Sequence, residues 1–310
     1  MILTVTLNAA LDLTYAVPAL VPQTSHSVRE VAERPGGKGV NVARVLSALG
    51  HDTVVTGFAG GATGAVLREL LGALPLRPTD ALVTVAGNTR RTVAVVDRSG
   101  GDTTQLNEPG PHIGAGEWAA FLGTYQELLP GSEAVALCGS LPPGIHVGAY
   151  AELIRLARTA GVPVLLDTAG EPLRRGIAAR PDLVKPNADE LAQLTGAREP
   201  LRATRDARRR GAHSVVASLG ADGLLAVTPE GVWRAAPPSP VQGNPTGAGD
   251  SAVAGLLSAL AEGLDWPDRL ARAVALSTAT VLAPAAGEFD RAAYEDLLAR
   301  VTVEQQGPAA

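Results

Sequence analysis

Short runs of consecutive apolar and β-branched residues alternate along this chain with longer stretches whose apolar positions recur every three or four residues. The short runs are Ile2–Leu7, Thr53–Gly57, Ala134–Cys138, Pro163–Asp167, Leu183–Lys185 and Ser214–Ser218. Unbroken apolarity over four to six residues fits strands covered on both faces. The longer stretches predict helices over Val40–Leu49, Thr63–Leu74, Glu117–Leu129, Val147–Ala160, Ala188–Leu194, Gly247–Ala261 and Pro267–Ala283. Strands alternating with helices, joined by right-handed crossovers, predict an α/β fold with a mostly parallel sheet and helices on both faces. Ligands on such sheets collect at the carboxyl ends of the strands.

Two stretches depart from this rhythm. Leu13–Val17 with Ser27–Glu33, and Thr92–Asp97 with Asp102–Gln105, read as extended segments joined by turns. The second pair brackets Arg98-Ser99-Gly100-Gly101, a hairpin turn signal. These pieces predict a small separate β-sheet, a lid inserted into a single domain spanning residues 1–310 from segments about 13–33 and 90–106. There is no internal repeat, and Gln305 to Ala310 reads as a disordered end.

Composition narrows the function classes. Hydrophobic residues make up 46% of the 310, which no disordered chain reaches, and aromatics only 3%, so few rings could stack on single-stranded nucleic acid. A net charge of -5 argues against a nucleic-acid or anionic-membrane binder. The basic cluster Arg202, Arg205, Arg208, Arg209 and Arg210 has helical spacing with Asp206 among it, and reads as a solvated helix face. Cys138 is the one cysteine, so no intrachain disulfide can form and a reducing, cytoplasmic setting is expected. His26, His51, His112, His146 and His213 lack metal-ligand spacing. Met1–Leu7 reads as a first strand rather than a signal peptide, and no apolar run of about 18 residues suits a membrane span.

The chemistry is concentrated in glycine-rich junctions. Asn244-Pro245-Thr246-Gly247-Ala248-Gly249-Asp250-Ser251 opens a long apolar helix, where small residues and free backbone N–H groups suit a phosphate. Asp250 at that mouth is placed to take a proton from an attacking hydroxyl, although the same residues would also make a plain turn and helix cap. Pro35-Gly36-Gly37-Lys38-Gly39-Val40-Asn41 offers amides and a cation before another helix, or simply a tight turn. It is no Walker A loop, since Gly39 follows the lysine. In Lys185-Pro186-Asn187-Ala188-Asp189-Glu190, Asn187 and Glu190 read either as a capping box or as outer ligands of hydrated magnesium. Ser218-Leu219-Gly220-Ala221-Asp222-Gly223 reads as a hairpin or a nucleotide cradle. Gly57-Phe58-Ala59-Gly60-Gly61-Ala62-Thr63-Gly64 lacks the Gly-x-Gly start of a dinucleotide fingerprint and fits better beside a sugar.

Together with Thr6-Leu7-Asn8-Ala9-Ala10-Leu11-Asp12 and Cys138-Gly139-Ser140-Leu141-Pro142-Pro143-Gly144, these motifs occur in an order that resembles the ribokinase-like (PfkB-type) carbohydrate kinases, hexose-phosphate branch, over nearly the whole chain. The resemblance implies a ribokinase-like domain with a β lid, often used for dimerisation, and hence a homodimer through the lid. It implies ATP with Mg2+, and a sugar-phosphate substrate rather than nucleic acid or membrane. Asp250 matches the catalytic base, and Gly247, Ala248 and Gly249 the anion hole. Lys185, Asn187, Ser218, Gly220, Gly223, Gly247 and Gly249 match ATP positions, and Asn187 and Glu190 positions near the metal, through water. Asp12, Gly37, Lys38 and Asn41 match sugar contacts, and Arg90 with Ser140 the grip on the substrate's existing phosphate. The implied reaction is phosphorylation of fructose 1-phosphate to fructose 1,6-bisphosphate. Tagatose 6-phosphate or fructose 6-phosphate, phosphorylated at the 1-hydroxyl, are alternatives, ahead of an unphosphorylated sugar or nucleoside and a non-catalytic sensor. Departures from the family pattern are Ala9, Cys138 and Pro245, the segment Ala283-Pro284-Ala285-Ala286-Gly287-Glu288, and the absence of lysine from Gln23-Thr24-Ser25-His26-Ser27.

Overall fold

A computed structural model describes residues 1–283 and 285–307, so Pro284 of the departing segment and the last three residues of the tail lie outside the described residues. The first half of the chain runs β1 (Ile2–Thr6), β2 (Ala10–Val17), β3 (Glu30–Gly36), α1 (Lys38–Ala48), β4 (Thr53–Gly60), α2 (Gly61–Gly72) and β5 (Thr79–Val85). It continues through β6 (Arg90–Asp97), β7 (Thr103–Asn107), α3 (Ala115–Leu128), β8 (Ala134–Cys138) and α4 (Ala149–Thr159). Then come β9 (Val164–Asp167), α5 (Gly170–Ala178), β10 (Leu183–Val184), α6 (Ala188–Thr195), α7 (Pro200–Arg209), β11 (Ser214–Ser218), β12 (Leu224–Val227) and β13 (Val232–Ala236). The chain closes with α8 (Ala248–Ala261), α9 (Trp266–Val281), α10 (Arg291–Leu298) and β14 (Thr302–Gln305).

Ten strands form one sheet in the order β14-β13-β12-β11-β10-β9-β8-β1-β4-β5. From β5 through β11 every neighbouring pair is parallel, and β12, β13 and β14 add antiparallel at one edge. Alternate residues of each strand feed opposite faces. In β1, Leu3 and Val5 pack with Phe121, Tyr125, Tyr150 and Leu153 of α3 and α4, whereas Ile2 packs with Val42 of α1, Leu256 of α8 and Leu276 of α9. The sheet is thus covered on both faces, as the unbroken apolar runs require. No helix among the described residues is long and apolar enough to cross a membrane.

The separate small sheet has the order β3-β2-β6-β7. Its first pair of strands reaches beyond the segment 13–33, with β2 beginning at Ala10 and β3 running to Gly36, and β6 begins at Arg90. The extension pairs Ala10 with Arg90 and Asp12 with Thr92, so Asp12 and Arg90 are residues of the lid itself. The turn at Arg98–Gly101 joins the antiparallel pair β6 and β7, as its glycines predict. The expectation of a disordered end from Gln305 is corrected: Gln305 closes β14 and pairs with Trp233, because Val301 and Val303 pack against the core beneath the sheet edge.

Candidate active site

The parallel register sets a row of residues at the carboxyl ends of the central strands. Thr6 stands opposite Cys138, and Cys138 opposite Asp167; with Leu166 beside Val184, Lys185 follows next in the row. Helices α1 and α8 begin in front of this row, at Lys38 and Ala248. Gly247 caps α8 with a left-handed φ of 84°, and a Cβ there would come within 2.6 Å of Ala286. Only glycine accepts both the backbone and the close approach.

At the centre lies a charged cluster. The buried Asp167 carboxylate faces Lys38 Nζ at 3.1 Å from Oδ2 and Lys185 Nζ at 3.3 Å from Oδ1. Burial works to raise the Asp167 pKa, but Lys185 and Lys38 together hold it below the ordinary carboxylate value. The same carboxylate is the main influence raising the pKa of Lys38, which stays a cation. Asp250, in the first turn of α8, is buried and accepts a hydrogen bond from Asn41 Nδ2 at 2.8 Å. Burial pushes its pKa up to about 6, assisted by the negative charge of Asp167 and opposed by Lys38, Asn41 and Lys185. A buried carboxylate that ionises near neutrality suits a general base.

Two clefts open on either side. The larger, ≈ 800 Å³, is lined by Asn187, Ser218, Gly220, Gly223, Ala248 and Gly249 among others, with Val274 and Val281 of α9 on its apolar wall. The smaller, ≈ 490 Å³, is lined by Thr6, Asn8, Lys38, Arg90, Ser140 and Thr168, with Glu190 at its edge. Helix α6 wedges between them. Its Asn187 faces the larger cleft and Glu190 the smaller, and the two are joined by a reciprocal capping box at 2.8 and 2.9 Å. Lys185 sits beneath the α8 entry, its Nζ 3.7 Å from where a Cβ on Gly249 would stand.

The structure divides the sequence-predicted residues: Asn187, Ser218, Gly220, Gly223, Ala248 and Gly249 line the larger cleft, Lys38, Arg90, Ser140 and Glu190 the smaller, and Gly37, Asn41, Lys185, Gly247 and Asp250 belong to neither lining. Asp12 lines neither cleft. It accepts from Thr92 Oγ1 within the lid, beneath Gly36, and burial raises its pKa against the opposing effects of Thr92, Arg90, Arg44 and Arg34. Gly37 caps α1 at φ 102°, and Asn41 reaches Asp250 rather than the smaller cleft. Arg90 donates to the carbonyls of Asn8 and Glu108 at 3.2 and 3.3 Å, while Arg91 points away into an ion pair with Glu108. Ser218 and Gly220–Gly223 form both a hairpin and a cleft wall, so neither reading excludes the other. No group of three or more His, Cys, Asp or Glu side chains among the described residues could hold a metal ion. Asn187 and Glu190 spend one oxygen each on the cap, which suits contact to a hydrated ion through water and not direct ligation.

Three participants are not in the sequence-derived set. Asp167 ties the two lysines together, and a carboxylate ending an apolar parallel strand was its only sequence signal. Asn8 donates to Ser140 Oγ at 3.1 Å and so fixes that hydroxyl in the smaller cleft. Arg44, buried in α1, donates to Ala286 O and Glu288 Oε1, holding the loop that packs behind Gly247.

A glycine-capped helix entry with a buried carboxylate in its first turn, accompanied by two clefts, is an arrangement suited to phosphoryl transfer. Residues 4–292 match the pfkB family of carbohydrate kinases, and the chain belongs to that family. It is 41% identical over 291 residues to a 1-phosphofructokinase of Rhodobacter capsulatus, covering 91% of this chain and 92% of that protein. Among solved structures it resembles the tetrameric inhibited form of phosphofructokinase-2 from Escherichia coli, with TM-score 0.89 and 29% identity over 96% of this chain and 98% of the other. It also resembles a possible 1-phosphofructokinase from Thermotoga maritima, with TM-score 0.90 and 28% identity over 99% and 100%.

Proposed function

We propose that this carbohydrate kinase uses ATP to phosphorylate fructose 1-phosphate at its 6-hydroxyl, giving fructose 1,6-bisphosphate. The observation that carries the reading is the smaller cleft. Arg90, Lys38 and the oriented Ser140 hydroxyl converge there, a polar and cationic set suited to an existing phosphate and superfluous for a neutral sugar. The name of the Rhodobacter relative favours the 1-phosphate, and that of the Escherichia coli relative keeps fructose 6-phosphate as the second reading.

In this mechanism ATP occupies the larger cleft, with its base toward Val274 and Val281 and its γ-phosphate at the amides of Gly247, Ala248 and Gly249. Lys185, anchored by Asp167, adds positive charge under those phosphates. Asp250 accepts the proton of the attacking hydroxyl as the new O–P bond forms and the bond to the β-phosphate oxygen breaks, leaving ADP. Asn41 holds the Asp250 carboxylate in place. Mg2+, reached through water from Glu190 and Asn187, would supply neutralising charge on the phosphates. The lid residues Asp12 and Arg90 move with any closure of the small sheet over the sugar, because both belong to its strands.

The lid also carries the assembly reading. Val31 on β3 and Leu106 on β7 are 55% and 60% exposed, which favours a homodimer closed through this sheet. A monomer in light scattering, or an interface wholly on the larger sheet, would refute that arrangement. A buried, reduced Cys138 fits a cytoplasmic enzyme. The substrate assignment is tested by ADP production across a panel of fructose 1-phosphate, fructose 6-phosphate, tagatose 6-phosphate and free fructose. Preference for free fructose would overturn it.

A further inference from the structure

The arginine-rich helix α7 does more than face solvent. Its last turn contributes Arg208 and Arg209 to a cavity of ≈ 560 Å³, where Arg158 from the end of α4, Arg180 from the α5–β10 connection and His213 join them. Asp182 is the one carboxylate in the lining, and its Oδ2 already accepts the Val164 N–H at 2.8 Å. The cavity lies at the amino ends of β9, β10 and β11, the sheet edge opposite to Asp167, Lys185 and Ser218. It is therefore separate from both clefts of the active site.

The guanidinium groups there are held but not neutralised. Arg158 Nη1 donates to Ala179 O at 3.2 Å, and Arg208 Nε to His213 O at 2.9 Å. Each keeps other N–H groups of its fork for a further acceptor. Arg209 pairs with Asp206, while no ion pair involves Arg158, Arg180 or Arg208 among the described residues. Stabilisation of helix ends explains part of this, since Arg158, Arg208 and Arg209 sit in last turns where cations are favoured. The same preference covers the charge of Arg180, one residue past the α5 cap, but not its backbone. That residue follows the α5 cap with a left-handed φ of 63°, a position where glycine is the unstrained choice. Here an arginine is kept in a glycine position, and its side chain lines the cavity.

We propose that this cavity is a binding site for a small phosphorylated anion, a phosphate monoester or bisphosphate, gripped by Arg158, Arg180 and Arg208. Guanidinium forks match phosphate oxygens in bidentate pairs, and convergence of four of them in an acidic protein is relieved by such a counter-ion. The volume lies in the range of small-molecule sites. The inference is independent of which sugar phosphate the enzyme turns over.

The test is calorimetric titration of the full chain with inorganic phosphate, with fructose 1,6-bisphosphate and with a single-stranded oligonucleotide. The wild type should show a site for the phosphates beyond the one in the catalytic clefts. Arg180→Gly removes one guanidinium while easing the backbone, so loss of folding is not expected, and Arg208→Gln removes a second. Each should weaken the extra site roughly tenfold or more, the scale of a lost hydrogen bond to a charged group. In both variants kcat/KM should remain at the wild-type value. Response to phosphate alone would identify a single-phosphate site, and response only to the bisphosphate a two-phosphate one; either supports the proposal. Unchanged phosphate binding in both variants, the absence of any second site, or tighter binding of the oligonucleotide than of the bisphosphate would overturn it.

Discussion

Replacing Asn41 with alanine should move the acid limb of the pH–rate profile upward. Asn41 Nδ2 donates to Asp250 Oδ2 at 2.8 Å, and both side chains are buried, so water screens the contact little. The bond favours the ionised carboxylate, which is the form a general base needs. A hydrogen bond to a charged group is worth about 1.5–3 kcal/mol, and a pKa unit corresponds to about 1.4 kcal/mol. Its loss should thus raise the Asp250 pKa from about 6 by roughly one unit, two at most. Activity is present above that pKa and is lost as pH falls through it, so the limb shifts toward neutral pH. At pH 7 the ionised fraction would fall from about nine-tenths to about one-half. The assay is ADP production from fructose 1-phosphate between pH 5 and 9, read as kcat/KM, which reports groups of the free enzyme. Any sugar contact made by Asn41 lowers the profile evenly, whereas the position of the limb reports Asp250. A limb that stays near pH 6, or moves down, would refute the coupling.

Asp250→Asn should lower kcat by roughly two to four orders of magnitude and abolish the acid limb. Because burial raises the Asp250 pKa from 3.8 to about 6, its ionisation opposes folding. The stability is intact below pH 3.8 and is lost as pH rises to about 6, at a cost on the order of 3 kcal/mol. The asparagine variant should therefore melt higher than wild type at pH 8 and by much less at pH 4.5; a pH-independent difference would contradict this. Arg90→Ala should cost roughly ten- to a hundredfold in kcat/KM for the sugar phosphate, with ATP little affected. Arg91→Ala, which breaks only the exposed pair with Glu108, should stay within about twofold, and equal effects at the two arginines would remove Arg90 from the phosphate grip. Asp167→Asn strips the partner from the buried Lys185 and should cost about 3–5 kcal/mol in urea unfolding; a loss below about 1 kcal/mol would show that Lys185 does not need it.

What the sequence discloses of this fold follows from burial. Strands β1, β8 and β11 are covered on both faces and carry unbroken apolar runs, so their limits are readable to within a residue. The strands that the sequence hides are edge or short ones. β5 begins Thr79-Asp80 with both residues exposed, β12 has four residues, and β14 shows only Val303 to the core. Helix α5 is obscured by Pro172 in its first turn and by Gly176, which packs closely against the Leu166 side chain. Helix α10 buries only Tyr294 and Leu297, too few positions to set a period.

The site divides along a different line. Motifs mark residues whose backbone is special, and so Gly247, Gly37 and the Asn187–Glu190 cap can be located in one dimension. Asp167 has an ordinary strand backbone, and its importance arises only when β9 is set beside β8 and β10. The register that places it next to Lys185 follows from pairing Cys138 with Asp167 and Leu166 with Val184, a consequence of the parallel sheet and not of any local pattern. The same carboxylate then reaches Lys38 on α1, so one buried charge joins the lysine expected under ATP to the lysine expected at the sugar. It also lies close enough to Asp250 to help raise that pKa, while the two lysines restrain it from rising further. The pKa at the centre is thus raised by burial and adjusted by Asn41 and by three charges from three separate segments, which only the assembled fold brings together.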